Sequence, residues 1–425
     1  MKSPAVLALI FAISAQAQQP PLQLTLAATR AMALGNNSQI AVSRLNAAAA
    51  HQVPKEYPAL LAPIISGSVT AVGADSGSRL AAGGLNNPVL YNRAASGVLV
   101  NDLITDFGRT RSLVAAANLR AQAQDQVTDM SRADVLLATT RAYFGVLRAK
   151  AVLKVAQQTV TARQTLVDQV TALFNSQIKS QLDVSFAGVN LADARLLVSQ
   201  ATNDESAAEA SLAAAVGLRG AVAFSLSEEA VPEPLPSDPA SLIQQALQDR
   251  PELKDLRLEV SAAQRFAESE RRLSMPTVAF ALAAGVVPAG EPKVPGSYGA
   301  MGFNINIPVL NGGVFHARQS EAELREQAAN ERVKDIEVRI ERDVRTAFLN
   351  ASTALQRVNL TAQLRNQAEQ ALGLAQGRYD LGLSSIVELS QAQLNLTSAQ
   401  IATASSQYDY QIQRALVDYA VGALR

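Results

Sequence analysis

Apolar positions along this chain follow two periods. Val333, Ile336, Ile340, Val344, Ala347, Ala351, Ala354 and Val358 recur every three or four residues, close to the spacing of a coiled-coil seam. They predict one helix from near Gly313 to about Arg378. Gly377, Gly382 and the Ser384-Ser385 pair break it, and Leu394, Ile401, Tyr408 and Ala415 then keep a spacing of seven along a return helix. The second period is two. Val278, Phe280, Leu282, Ala284 and Val286 alternate with small residues, and Met301, Phe303, Ile305 and Ile307 alternate with Ala300, Gly302, Asn304 and Asn306. Strands of about ten residues with one apolar face suit a transmembrane barrel, although a half-buried soluble sheet gives the same alternation. In the first half Ile65, Val69, Val98 and Val100 fit the pattern, whereas Gly67 and Asp102 do not.

The two halves are copies. At an offset of 205, Gly108 aligns with Gly313, Leu119-Arg120 with Leu324-Arg325, Ala142-Tyr143 with Ala347-Phe348, Asn190-Leu191 with Asn395-Leu396, and Ala215-Val216-Gly217 with Ala420-Val421-Gly422. Upstream the offset becomes 213, pairing Ala33-Leu34 with Ala246-Leu247 and Pro63 with Pro276. The change falls in a loop between Pro63 and Gly97, where insertions are tolerated. We therefore read a first repeat at 18–230 (strand hairpin about 63–104, helical hairpin about 106–217), a Pro-rich linker at 231–239, and a second repeat at 240–425 (strand hairpin about 276–309, helical hairpin about 313–422). A helix of about 66 residues spans roughly 100 Å, the return helix about 57 Å and the helix from Glu252 to about Ser274 roughly 35 Å. Laid end to end, the shorter two match the long one, so each repeat is expected to form a rod of uniform length.

Four strands cannot close a barrel, and an open edge cannot face hydrocarbon with its backbone groups unpaired. Strands that span a membrane must then be pooled by several chains. The fold class is accordingly mainly α with a membrane β-barrel part.

Composition narrows the function. The chain has 425 residues, 48% of them hydrophobic, but 77 of these are alanine and only 4% of the chain is aromatic. That favours long, closely packed helices over a thick core. There is no Cys, which excludes thiolate metal sites, Cys nucleophiles and lipid attachment at an N-terminal Cys. Lys+Arg 37 against Asp+Glu 37 gives no basic field for nucleic acid. His51 and His316 lie far apart, and no residue pattern points to catalysis, a metal or a cofactor. Residues 1–17, with Lys2, the apolar run Ala5 to Ile13 and Ala15-Gln16-Ala17, read as a signal peptide cleaved after Ala17.

Three motifs carry a resemblance: Asp106-Phe107-Gly108-Arg109-Thr110-Arg111 opening the first long helix, Phe348-Leu349-Asn350-Ala351 within the second, and Tyr379-Asp380-Leu381-Gly382-Leu383-Ser384-Ser385-Ile386-Val387-Glu388-Leu389 across the second turn. With the duplicated plan they resemble the TolC-like outer-membrane efflux protein family, over essentially the whole chain after the signal. The resemblance implies a homotrimer sharing a 12-stranded barrel in outer-membrane lipid, continued by a helical barrel through the periplasm of a Gram-negative-type bacterium. It implies a passive exit duct of a tripartite efflux or type I secretion system, not an enzyme. Such a duct is gated at the periplasmic helix turns and served by a periplasmic adaptor and an RND, ABC or MFS inner-membrane pump.

The resemblance also places candidate residues. Asp183, Glu388, Gln391 and Tyr379 match the constriction, with Gln391 uncharged and Ser384 standing where a latching Arg can occur. Gln177, Gly382, Leu383 and Ser384 match the adaptor-docking turns, Gln177 standing where Gly is usual. Plainer roles remain open: a helix-start acid for Asp183 and Glu388, seam packing for Tyr379, a helix-ending glycine for Gly382. The alternative to a duct is a periplasmic coiled-coil structural or adaptor protein, which leaves the two alternating strand hairpins without a role.

Overall fold

A computed structural model describes residues 22–73, 75, 91–220, 224–230 and 232–424. The signal peptide, most of the loop at 74–90 and the first linker residue lie outside the described residues. In chain order the elements are β1 (Leu22–Leu24), α1 (Leu26–Asn36), α2 (Ser38–Ala50), α3 (Val53–Ala59), β2 (Ile64–Val72), β3 (Arg93–Thr105), α4 (Arg109–Asn175), α5 (Gln181–Ala215) and β4 (Phe224–Leu226). After them come α6 (Ala240–Asp249), α7 (Pro251–Arg271), a single 3₁₀ turn (Arg272–Ser274), β5 (Thr277–Gly290), β6 (Ser297–Asn306), α8 (Val314–Asp380) and α9 (Ile386–Ala420).

The long helices match in length across the halves: α4 and α8 have 67 residues each, α5 and α9 have 35. At 1.5 Å per residue these are about 100 Å and about 52 Å of helix. None contains a proline. Their hydroxyl side chains instead bond back to the carbonyl one turn earlier, among them Thr159 to Val155 (2.9 Å), Thr202 to Val198 (2.8 Å) and Thr403 to Ala399 (2.8 Å). Such back-bonds bend a helix slightly. The halves differ upstream of the sheet, where α7 is continuous over 21 residues but its counterpart is split into α2 and α3 at His51-Gln52, ahead of Pro54.

Contacts divide the chain into two compact units, each drawing on both halves of the sequence. One contains Ala138–Glu233 and Ala354–Ile412 with the N-terminal segment up to Asn36; the other contains Asn37–Leu137, Pro234–Thr353 and the residues from Gln413 on. In the second unit Ile336, Ile340, Val344 and Ala351 of α8 are buried, as the heptad predicts, against Leu253, Val417 and Val421. In α9 the expected seam is displaced. Leu394 is 54% exposed, whereas Ile386, Leu389, Ala392, Ala399, Ser406 and Tyr410 are buried. Small residues mark that seam because they let helices approach closely, so the bulkiest side chains are a poor guide to it.

The first unit holds two strands too short to be read from the sequence. β1 and β4 pair in parallel, Leu24 opposite Leu226, and the buried Tyr143 hydroxyl donates to the Ser227 carbonyl at 2.7 Å beside them. The second unit holds the four-stranded antiparallel sheet, ordered β2-β3-β5-β6. Its register places Val278, Phe280 and Leu282 opposite Ile305, Phe303 and Met301, and Val100 opposite Ile65, all on one face. The Phe280 and Phe303 rings lie 5.3 Å apart. Asp102 pairs with Phe280 near the helix end of that face. The other face carries Asn101, Ala281, Asn304 and Asn306. There the Tyr298 ring lies over Gly97 and Gly285, and a side chain on either glycine would overlap it. Alternation alone builds this sheet; its two edges, β2 and β6, have no partner strand among the described residues.

Below the sheet the chain enters each long helix through two successive left-handed residues, Phe107 and Gly108 before α4, Gly312 and Gly313 before α8. Asp106 and Asn311 accept from the Gly108 and Gly313 amides at 3.1 and 3.2 Å. The buried Glu270 carboxylate is clamped beside them by Arg318 at 2.7 Å, with Arg109 at 3.8 Å.

Candidate functional site

Both helical hairpins turn within the first unit, and the two turns share one backbone. Ile178 N–H donates to the Leu173 carbonyl (2.9 Å) and Gln177 N–H to that of Phe174 (2.8 Å); Leu383 and Gly382 donate in the same way to Arg378 (2.8 Å) and Tyr379 (3.1 Å). Nested six-to-one bonds of this kind need a left-handed residue at the pivot. Gly382 (φ 72°) supplies it freely, whereas Gln177 (φ 61°) adopts it against the steric cost of a side chain, about 1–2 kcal/mol.

The acids that open the return helices are held differently. Asp183 closes a capping box: its Oδ2 accepts from the Ser180 amide (2.9 Å) and hydroxyl (2.6 Å), and its own amide donates to Ser180 Oγ (3.2 Å). Partial burial opposes its charge, but the Ser180 hydrogen bonds and the Lys179 ammonium outweigh this and hold its carboxyl below the usual aspartate range. Glu388 instead pairs across the turn with Arg378, Nε to Oε1 at 3.1 Å, while its amide donates to Ser385 Oγ at 3.4 Å. Gln391 is exposed and donates along its own helix to Asn395 (2.9 Å).

Tyr379 sits beneath both turns. It is 3% exposed and packs with Leu166 and Val170 of α4, Ile386 and Leu389 of α9, and Val184 of α5. Lys179 Nζ lies 3.8 Å from the centre of its ring. Its hydroxyl is buried without a hydrogen-bond partner, and burial, with the charges of Asp183 and Asp380, raises its pKa. Ser384 Oγ is also buried and unpartnered. Leu383 is 67% exposed, and Ile178 and Leu381 project beside it. The structure thus gathers Asp183, Tyr379 and Glu388 around one small apolar cluster and leaves Gln391 outside it.

Arg378, Lys179 and Ser180 were not legible as site residues. The first two act across a turn on residues close in sequence, and only the Ser-x-x-Asp spacing of the third carries a signal. Farther along the hairpins Arg163, 6% exposed, donates to Gln393, and Asn190 donates to Ser390 at 2.8 Å. Burial depresses the Arg163 pKa, with Asp193 pulling the other way.

Comparison with known proteins meets this geometry. Outer membrane protein TolC of Escherichia coli (strain K12) is 22% identical over 351 residues, 80% of this chain and 71% of TolC. The probable efflux pump outer membrane protein TtgC of Pseudomonas putida is 26% identical over 384 residues, 87% of this chain and 77% of TtgC. The crystal structure of CusC superposes with a TM-score of 0.81 at 16% identity, covering 93% of this chain and 92% of CusC. The sequence profile described as Outer membrane efflux protein matches residues 29–218 and 242–423, both helical hairpins and both strand pairs. The chain therefore belongs to the outer membrane efflux protein family, as an outer-membrane exit channel of efflux systems.

Proposed function

We propose that this chain works as a homotrimeric passive conduit whose periplasmic end is closed by the two helix turns. The sheet carries this reading. Four antiparallel strands are an even number, so β6 of one copy runs antiparallel to β2 of the next and the ladder can continue without a break. Two copies make eight strands, a barrel that side chains fill; three copies make twelve, the first count that leaves a lumen. The apolar face of Phe280, Leu282, Met301 and Phe303 then meets lipid, and Asn101, Asn304 and Asn306 line the passage.

At the other end Asp183, Glu388, Gln391 and Tyr379 belong to the constriction. Their roles there are unequal. Asp183 is fixed by its cap, Tyr379 is packing rather than a latch because its hydroxyl is buried in its own chain, and Glu388 is partly neutralised by Arg378. The exposed Leu383, with Gln177, Gly382 and Ser384, presents an apolar tip for a periplasmic adaptor that links the duct to an RND, ABC or MFS pump. In this reading residues 18–230 and 240–425 are the two structural repeats, joined by the linker at 231–239.

Reconstitution into planar bilayers tests the proposal. A detergent-solubilised trimer of low conductance, opened by loosening the turns, is the expected result. A monomeric protein without channel activity would refute it.

A further inference from the structure

The duplication makes a prediction about a contact that a single chain cannot show. Within the chain the first helical hairpin docks on the second mainly through α4 and α9: Leu166 and Val170 meet Ile386 and Leu389, Arg163 reaches Gln393, and Arg148 pairs with Asp409 at 2.9 Å. Asn190 on α5 adds its bond to Ser390 on α9. In these regions α4 and α9 are well covered. Their repeat mates, 205 residues away on α8 and α5, are not.

Phe144 on α4 is 4% exposed, but its mate Leu349 on α8 is 62% exposed; Val155 is half-buried, but its mate Leu360 is 63% exposed. On the return helices Ile401 of α9 is half-buried, whereas its mate Leu196 of α5 is 69% exposed. Equivalent apolar residues on helices of equal length thus have a cover in one half and none in the other. Aliphatic side chains of this size left bare in a row mark a missing partner.

We infer that the missing cover is the next copy of this chain: the second hairpin of one copy docks on the first hairpin of its neighbour in the register by which the first docks on the second within the chain. This rests on the trimeric reading above and adds the residue pairing. Moving each contact by one repeat turns Asn190–Ser390 into Asn395 against Ser185 of the next copy, and both are exposed. The donor and acceptor types are thus retained at both places. Asn395 uses its carbonyl oxygen for Gln391, which leaves its amide to donate. Arg148–Asp409 becomes Thr353 against Asp204 of the next copy, a hydroxyl in place of a guanidinium. The seam between copies therefore keeps the polar pairing but loses its ion pair and its buried arginine, since Ala368 stands where Arg163 does. A head-to-tail contact of this kind closes into a ring, with hairpins alternating between the two seams.

The absence of native cysteine makes the test clean. Ser185→Cys with Asn395→Cys, oxidised in the assembled protein, should give covalent trimer on non-reducing gels at least tenfold above either single variant. Asn190→Cys with Ser390→Cys should close within one chain and leave the band monomeric. Native mass measured on the same samples separates the two readings. A trimer that forms the 190–390 bond but no 185–395 bond overturns the proposed seam and leaves the duct intact. A protein that forms the 190–390 bond yet is monomeric by native mass overturns the trimeric reading and the seam with it.

Discussion

The turns after α4 and α8 have the same hydrogen bonds and a pivot of the same hand, yet nearly every side chain around them differs. Gln177 stands against Gly382, Phe174 against Tyr379, and a capping box against an ion pair with Arg378. Backbone geometry here is set by the need to reverse two long helices in five residues, and several sequences satisfy it. The first turn is stiffened by its cap and strained at its pivot. The second is relaxed at its pivot and held by a half-exposed pair, worth at most about 1 kcal/mol. Of the two, the second gives way more cheaply.

The sharpest way to break this comparison is at the first cap. Asp183→Ala should lower the free energy of local opening around α5 by about 1 kcal/mol, read by amide hydrogen exchange. Because the Asp183 carboxyl is held below its usual range, that contribution is complete above about pH 4, the value of a free aspartate, and fades as pH falls through the lowered folded value. The variant and the parent should then exchange alike in strong acid. A difference that grows on acidification would show that the cap is not what matters.

Exchanging the pivots is the next test. Gly382→Ala should cost about 1 kcal/mol and Gln177→Gly should gain about 0.5–1 kcal/mol, both measured as thermal or denaturant midpoints of the assembled protein. Equal effects of one sign would mean that the turns are not equivalent after all.

Smaller effects concern the second turn. Arg378→Gln should raise cation preference in single-channel recordings more than Glu388→Gln lowers it, because the arginine already offsets the carboxylate. The reverse order would place Glu388 free in the passage. Tyr379→Phe should leave both stability and conductance nearly unchanged, since it removes a buried hydroxyl that bonds to nothing. A loss of closure would reveal a latch.

Much of the architecture was legible in the residues. The 205-residue offset places Ile178 on Leu383 and Gln177 on Gly382, and those pairs do share their hydrogen bonds. Strand alternation gave the sheet its face because Phe280 and Phe303 must share one side. What escaped were features without a period. β1 and β4 are three residues each, too short to show one. The α9 seam ran through Ala392 and Ala399, not through Leu394 and Ile401, because burial there is decided by how closely helices approach and not by side-chain size. The partners of the site acids were hidden for a related reason: Ser180 and Arg378 both lie within ten residues of their carboxylates, and the sequence does not say which will reach.

The hydroxyl back-bonds along the four long helices have a mechanical consequence. A proline fixes a bend at one place for good, whereas a threonine that shares its neighbour's carbonyl adds a small bend that side-chain rotation can release. Spread over Thr159, Thr202, Thr403 and their like, compliance is distributed along the helix and not concentrated at a hinge. A wall built from such staves deforms like a bundle of weak leaf springs, giving a little everywhere before it breaks anywhere.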